Sequence, residues 1–246
     1  MGFTRTYQMA GKVIEITSLH KSVHRYCKDY AVSGKADFCV KTSESDIEYE
    51  RERSAKNDIA EGREIAEWSD SYLEELAVYR KIAEKMPEYD TFLMHGSAIA
   101  VDGNAYLFTA RSGTGKSTHT RLWRELLGDR AVMVNDDKPL INISESGATI
   151  YGTPYNGKHR IGNNISVPLK SVCILERASE NHIEKTDRSQ AYKMLLQQVY
   201  RPNDIFALKK TISLIDEMCE KVTFYRLGCN MDISAAELAF NTMSSQ

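Results

Sequence analysis

The run Ala110-Arg-Ser-Gly-Thr-Gly-Lys-Ser117 concentrates the residue types that handle a polyphosphate. Its glycines let successive backbone N–H groups curl around phosphate oxygens with no Cβ in the way. A helix beginning beside Ser117 would add its positive dipole end. Ser112, Gly113, Thr114, Gly115, Lys116, Ser117 and Thr118 therefore form the expected nucleotide cradle. Lys116 would neutralise β/γ-phosphate charge and the Ser117 hydroxyl would ligate the nucleotide's Mg²⁺. The strict Walker A pattern has glycine where this chain has Ala110, and alanine costs flexibility only if that position needs positive φ.

Twenty residues beyond Lys116 (136 − 116 = 20), Val132-Met-Val-Asn-Asp-Asp137 reads as an apolar strand that delivers two carboxylates. Asp136 and Asp137 suit a metal-holding role. One of them, its pKa raised by its neighbour, would accept the proton of an attacking hydroxyl. The alternative is a polar strand end in which Asn-Asp-Asp-Lys simply turns the chain. His95 opens a strand whose hairpin partner runs into the glycine loop, so the order of the hairpin puts His95 at the mouth of the same site.

A second stretch, Gly152-Thr-Pro-Tyr-Asn-Gly157-Lys158, imitates the spacing of the first. His159 follows where serine or threonine is needed, Pro154 spoils the cradle and no helical pattern comes after, so a second nucleotide loop is rejected. Lys158, His159 and Arg160 are three potential anion donors there, contacting either the γ-phosphate or the acceptor, or else forming an exposed polar loop. Arg111 and His119 flank the glycine loop as candidate nucleotide contacts. Arg201 points toward phosphate or sits in a turn between helices, and Trp123 reads as core on the helix after the loop.

These side chains need a scaffold. Strands are expected over 12–17, 36–41, 95–101, 105–109, 131–135, 139–143, 149–152, 171–176 and 222–227, and helices over 70–86, 117–127, 189–199, 204–219 and 234–243. Asp102-Gly103-Asn104 supplies a hairpin turn and Gly128 closes the helix after the loop. Leu73, Leu76, Ala77, Ile82 and Ala83 recur at roughly helical spacing, with Pro87 as the stop. Intermixed strands and helices predict an α/β domain over 91–246 behind a small N-terminal α+β unit over 1–90.

Met94-His95-Gly96-Ser97-Ala98, then Ser112-Gly-Thr-Gly-Lys-Ser-Thr118, then Asp136-Asp137 resemble, in order and approximate spacing, the HPr kinase/phosphorylase catalytic domain and the nucleotide core of phosphoenolpyruvate carboxykinase. The 21 residues from His95 to Lys116 (116 − 95 = 21) are typical of that group. The resemblance is specific from 92 to 137 and looser to 201. It implies a mixed-sheet P-loop fold and a phosphoryl transferase in which Lys116 grips phosphate, and Ser117, Asp136 and Asp137 hold Mg²⁺ (or Mn²⁺). One aspartate serves as base, and His95 matches a second metal ligand or catalytic-site residue. The Glu-Ile-Arg-Gly stretch of HPr kinases is replaced by Tyr151-Gly-Thr-Pro-Tyr-Asn-Gly-Lys-His-Arg160, which argues against HPr as the acceptor. The short chain lacks room for a carboxykinase's oxaloacetate-binding domain.

Composition narrows the classes further. The 246 residues carry 32 Lys+Arg against 34 Asp+Glu, a net charge of −2, without the basic excess of a general nucleic-acid binder. No apolar run approaches the roughly 18 residues of a membrane span, and the chain start lacks a secretory signal's apolar stretch. Five cysteines without a C-x-x-C pair read as reduced thiols of a cytoplasmic protein. Between Glu44 and Glu75 twelve acids meet four bases, a local −8 that leaves +6 elsewhere. That stretch reads as a solvated connector or helix, in a unit expected to select the acceptor. The resulting expectation is an ATP–Mg²⁺-dependent kinase, or one using another nucleoside triphosphate. Its acceptor is a hydroxyl on a protein, peptide or small molecule, and its partners extend to a homo-oligomer. The alternative is a nucleotide-binding regulator or slow ATPase.

Overall fold

Ala10 and Gly11 both have positive φ (47° and 76°), and two successive left-handed residues make the turn whose twist matches paired strands. This turn joins β1 (Phe3–Met9) to β2 (Lys12–Ser18). The computed structural model describes residues 2–60, 62–157 and 159–245. The chain divides into two units, Met1–Lys85 and Met86–Gln246.

In the first unit, α1 (Lys21–Tyr26) follows the hairpin, β3 (Phe38–Lys41) pairs parallel to β2, and α2 (Glu44–Ala60) and α3 (Asp70–Lys85) complete it. The acidic stretch is not a simple solvated face. Its Glu50, Asp58 and Glu74 are buried. Arg80 bridges Glu50 at 2.5 Å and Asp46 at 3.2 Å, and Lys81 reaches Asp46 at 2.8 Å. Much of the local charge surplus is thus spent on holding α2 to α3.

The second unit is a mixed α/β fold. It comprises β4 (Thr91–Leu93), β5 (Ser97–Val101), β6 (Asn104–Thr109), α4 (Lys116–Leu127), β7 (Ala131–Asn135), β8 (Leu140–Ser144) and β9 (Gly147–Tyr151). Then come β10 (Ser166–Arg177), β11 (His182–Lys185), α5 (Arg188–Leu195), α6 (Ile205–Lys221), β12 (Thr223–Cys229) and α7 (Ile233–Ser244). The main strand order is β7-β5-β6-β10-β12-β11, with β6, β10 and β12 mutually parallel and the outer pairs antiparallel. The first residues of β10 pair instead with β9, which continues through β8 to β4.

Side chains alternate across the sheet as the strand period of two requires. In β6, Ala105 and Leu107 join a core shared with Leu195 of α5 and Leu214, Ile215 and Met218 of α6. Tyr106 and Phe108 join the opposite core, with Leu122 and Trp123 of α4 and Ala236, Ala239 and Met243 of α7. Helices therefore cover both faces, and the parallel centre reads as nearly continuous apolar sequence.

Several boundaries differ from expectation. β10 begins at Ser166, upstream of Pro168, which pairs with Thr149 of β9 before pairing with β6 starts at Leu169. A strand tolerates proline where no ladder needs its missing N–H. The helix expected over 189–199 stops at Leu195, and Val199 pairs with Met94 instead. β1, α1, β4 and β11 had no predicted counterpart, each being short or polar along an exposed side.

Candidate active site

The loop between β6 and α4 has the backbone its glycines permit. Gly113 has φ +75° and Gly115 +123°, conformations that L side chains rarely adopt. Ala110 is not among the positive-φ residues, so alanine there carries no strain. Gly115 is the N-cap of α4 with no side-chain cap, which leaves the first helical N–H groups directed at the loop. Arg177, the last residue of β10, donates from Nη2 to the Gly113 carbonyl at 2.5 Å.

Lys116 is buried, its Nζ donating to the carbonyls of Ala110 (3.0 Å) and Arg111 (3.5 Å). Burial lowers its pKa, and the charges of Asp137 and Asp136 pull it partly back. Arg111 is exposed on the loop, and Ser117 is exposed on the first turn of α4.

Asn135-Asp136-Asp137 turns the chain at the end of β7, the geometry of the polar strand-end alternative, and the turn fixes where the two carboxylates sit. Asn135 Oδ1 accepts from the N–H groups of Asp137 (2.9 Å) and Lys138 (2.7 Å), while its Nδ2 donates to Thr153 Oγ1 (3.0 Å). Asp136 is buried and accepts from Ser97 Oγ at 2.6 Å. Because that bond uses the only Ser97 hydroxyl proton, Thr120 Oγ1 is the donor in its 2.8 Å contact with Ser97 Oγ. Asp137 sits 3.3 Å from His95 Nε2 and 3.5 Å from Lys138 Nζ. Burial pushes its carboxyl pKa up, but His95 and Lys138 outweigh this and hold it below the usual value. A raised pKa, expected for one of the pair, is therefore not a property of Asp137.

His95 precedes β5 rather than starting it. Its N–H donates to the Gln198 carbonyl (2.8 Å) and its carbonyl accepts from Thr109 Oγ1 (2.9 Å). The early stop of α5 makes the first of these contacts available. Gly96 follows because a Cβ there would lie 2.6 Å from Leu107 Cδ1 and 3.0 Å from the Phe108 carbonyl.

Asn163 lies along the edge of β7, donating from its backbone to the Val134 carbonyl and from its side chain to the Met133 carbonyl. Gly157 lies against the backbone of Asp136. His159 and Arg160 are exposed, and Lys158 lies outside the described residues. Arg201 donates twice to the Leu196 carbonyl, so it closes the end of α5, and Trp123 is fully buried. The sequence alone points to no role for Ser97, Thr120, Thr153, Arg177 or Gln198. Ser97 stood inside a quoted motif, but neither Arg177 nor Gln198 carries a local signal, because only the sheet order brings them to the loop.

The sequence matches the family described as SynChlorMet cassette protein ScmC over residues 59–231, more than half of its length. The chain belongs to the ScmC family. The family region takes in His95, the glycine loop, Asp136, Asp137 and Arg177 and leaves β1, β2 and β3 outside it. No curated protein matches the chain. Among solved structures, the Hpr(Ser) kinase/phosphatase from Coxiella burnetii is similar at 10% identity with a TM-score of 0.34, over 61% of this chain and 95% of that one.

Among the described residues no group of three or more His, Cys, Asp and Glu could hold a metal unaided, and no helix is long and apolar enough to cross a membrane. Mg²⁺ seldom uses an all-protein cage. It takes one or two carboxylates and completes its shell with water and phosphate oxygens. The donors available at this site are the Asp136 and Asp137 carboxylates with His95 beside Asp137, and the exposed Ser117 hydroxyl at the head of α4.

Proposed function

We propose that this chain is an HPr kinase-like, P-loop phosphoryl transferase. It moves the γ-phosphoryl of ATP, or of another nucleoside triphosphate, to a hydroxyl on a peptide, protein or small molecule. The observation that carries this reading is the buried Lys116 at the head of α4, held by two loop carbonyls and within the field of two carboxylates. A buried ammonium is costly unless it is hydrogen-bonded and paired with opposite charge, and the loop carbonyls and the two carboxylates supply both while holding the charge at the loop.

The loop N–H groups and Lys116 would bind and orient the β- and γ-phosphates, and Arg177 keeps the loop apex in place. Ser117, Asp136, Asp137 and His95 are the residues that would hold Mg²⁺, which when bound spreads the charge developing on the transferred group. One of Asp136 and Asp137 would receive the acceptor's hydroxyl proton as its oxygen bonds to phosphorus and the nucleoside diphosphate leaves. The low pKa of Asp137 keeps it ionised throughout the neutral range.

Asp136→Asn and Asp137→Asn, assayed separately for ATP binding and for transfer of labelled phosphate into a lysate or metabolite pool, test the reading. At least one variant should bind ATP and lose transfer by about a hundredfold or more. Two variants that lose only affinity would leave a nucleotide-binding regulator, and label released solely as inorganic phosphate would indicate a slow ATPase.

A further inference from the structure

Two cavities flank the glycine loop. One, of about 440 Å³, is lined in part by Ala110, Arg177 and Gln198. It adjoins the reacting groups, because the Ala110 carbonyl accepts from Lys116 and the Gln198 carbonyl accepts from His95. The other, of about 430 Å³, opens on the far flank. It lies between the first turns of α4, with Thr118, His119 and Leu122, and the chain leaving β12, with Cys229 and Met231.

His119 in that second wall carries an unspent hydrogen bond. It is 2% exposed, and its Nε2 accepts the indole N–H of Trp123 at 3.1 Å. An indole nitrogen only donates, so Nε2 is bare and the ring proton sits on Nδ1. That Nδ1 is buried and has no hydrogen-bond partner. An orphaned buried donor carries an uncompensated desolvation cost, and Phe108 and Trp123, which pack against the ring, offer it no acceptor.

We propose that this second cavity takes the nucleobase of the triphosphate, with Nδ1–H of His119 donating to a ring acceptor of the base. The proposal rests on the reading of the loop as a polyphosphate site. Phosphates gripped by Gly115 and Lys116 would leave the nucleoside to extend along α4. Leu122 and Met231 supply apolar surface for flat ring faces, and bases carry acceptor nitrogens or carbonyls at their edges. An inorganic polyphosphate would use neither the apolar walls nor the donor.

Titration calorimetry on the full chain with Mg²⁺, comparing ATP with inorganic tripolyphosphate, tests it. The unsubstituted protein should bind ATP about tenfold more tightly than tripolyphosphate, the equivalent of one good hydrogen bond. His119→Phe should erase most of that preference and leave tripolyphosphate affinity unchanged. Met231→Asp, at an 80% exposed position where folding is not at risk, should likewise weaken ATP alone. Equal affinities in the unsubstituted protein, or variants that weaken both ligands alike, overturn the base site while leaving the phosphate loop standing. Tripolyphosphate binding that survives Lys116→Ala instead overturns the loop reading, and the base site with it.

Discussion

Arg177 Nη2 donates to the Gly113 carbonyl across 2.5 Å, so the far end of β10 tethers the apex of the glycine loop. The residues are 64 positions apart in sequence, and the parallel pairing of β6 with β10 delivers both to one end of the sheet. The tether fixes the carbonyl of a residue whose positive φ already commits the chain to curl. Arg177→Gln should therefore weaken nucleotide binding about fivefold, roughly 1 kcal/mol for an exposed charge-assisted bond. The melting temperature should move little. Calorimetry beside a thermal melt checks this, and a large drop in melting temperature would mean that Arg177 supports the fold and not the loop alone.

Ser97 and Asp136 form the next link. Asp136 is buried with the Ser97 hydroxyl as donor, and Thr120 on α4 completes the chain back to the helix that carries Lys116. Ser97→Ala leaves a buried carboxylate short of a donor, which costs about 2 kcal/mol. Urea denaturation should show that loss as a lower midpoint with an unchanged slope. Ser97→Thr, which keeps the hydroxyl, should recover part of it if the cavity admits the extra methyl. No recovery together with a changed slope would point to repacking of β5 instead.

The buried His119 gives the fold an acid liability. Its folded pKa of about 4 lies below the ordinary imidazole value of 6.5 because burial disfavours the cation. The unfolded chain therefore binds the proton more readily, and stability falls as pH drops from about 6.5 toward 4, by up to about 3 kcal/mol. His119→Phe removes the titration. Urea midpoints measured at pH 7 and pH 4.5 should then differ less in the variant than in the unsubstituted protein. An identical difference in both would show that other groups carry the acid sensitivity. His24, lowered chiefly by burial, contributes in the same direction and stays present in both proteins.

The glycine loop, the helix after it and the strand that ends at Asn135 were readable from sequence because each is local. The glycines, Lys116 and the caps act within a few residues of one another, and α4 starts and stops where Gly115 and Gly128 put it. What escaped was set by tertiary pairing. α5 ends early because Val199 joins Met94, and that same pairing brings the Gln198 carbonyl to His95. β10 starts at Ser166, ahead of the expected 171, because its first residues pair with β9, and Pro168 sits where the strand has a partner on only one side. The acidic stretch misled because composition counts charges without showing where they point.

Glu74 is the clearest case. It belongs to the acidic surplus between Glu44 and Glu75, yet it is fully buried. Its Oε1 accepts from Leu19 N–H (2.6 Å) and Thr42 Oγ1 (2.5 Å) and its Oε2 from His20 N–H (2.8 Å), with His20 Nδ1 a further 2.7 Å contact. One carboxylate thereby ties the turn after β2 and the residue after β3 to α3. Glu74→Ala would orphan two backbone N–H groups and leave the Thr42 hydroxyl only its 3.3 Å contact with the Thr17 carbonyl, and should cost about 3–5 kcal/mol. Glu74→Gln should cost nearly as much despite its matching shape. Its amide nitrogen must face donors on one side, where a carboxylate offers acceptors on both. Denaturant unfolding of the full chain, followed by hydrogen exchange at Leu19 and His20, distinguishes the outcomes. Fast exchange at both amides in either variant is expected. Protection retained in Glu74→Gln would show that one acceptor oxygen suffices and that the second backbone contact adds little.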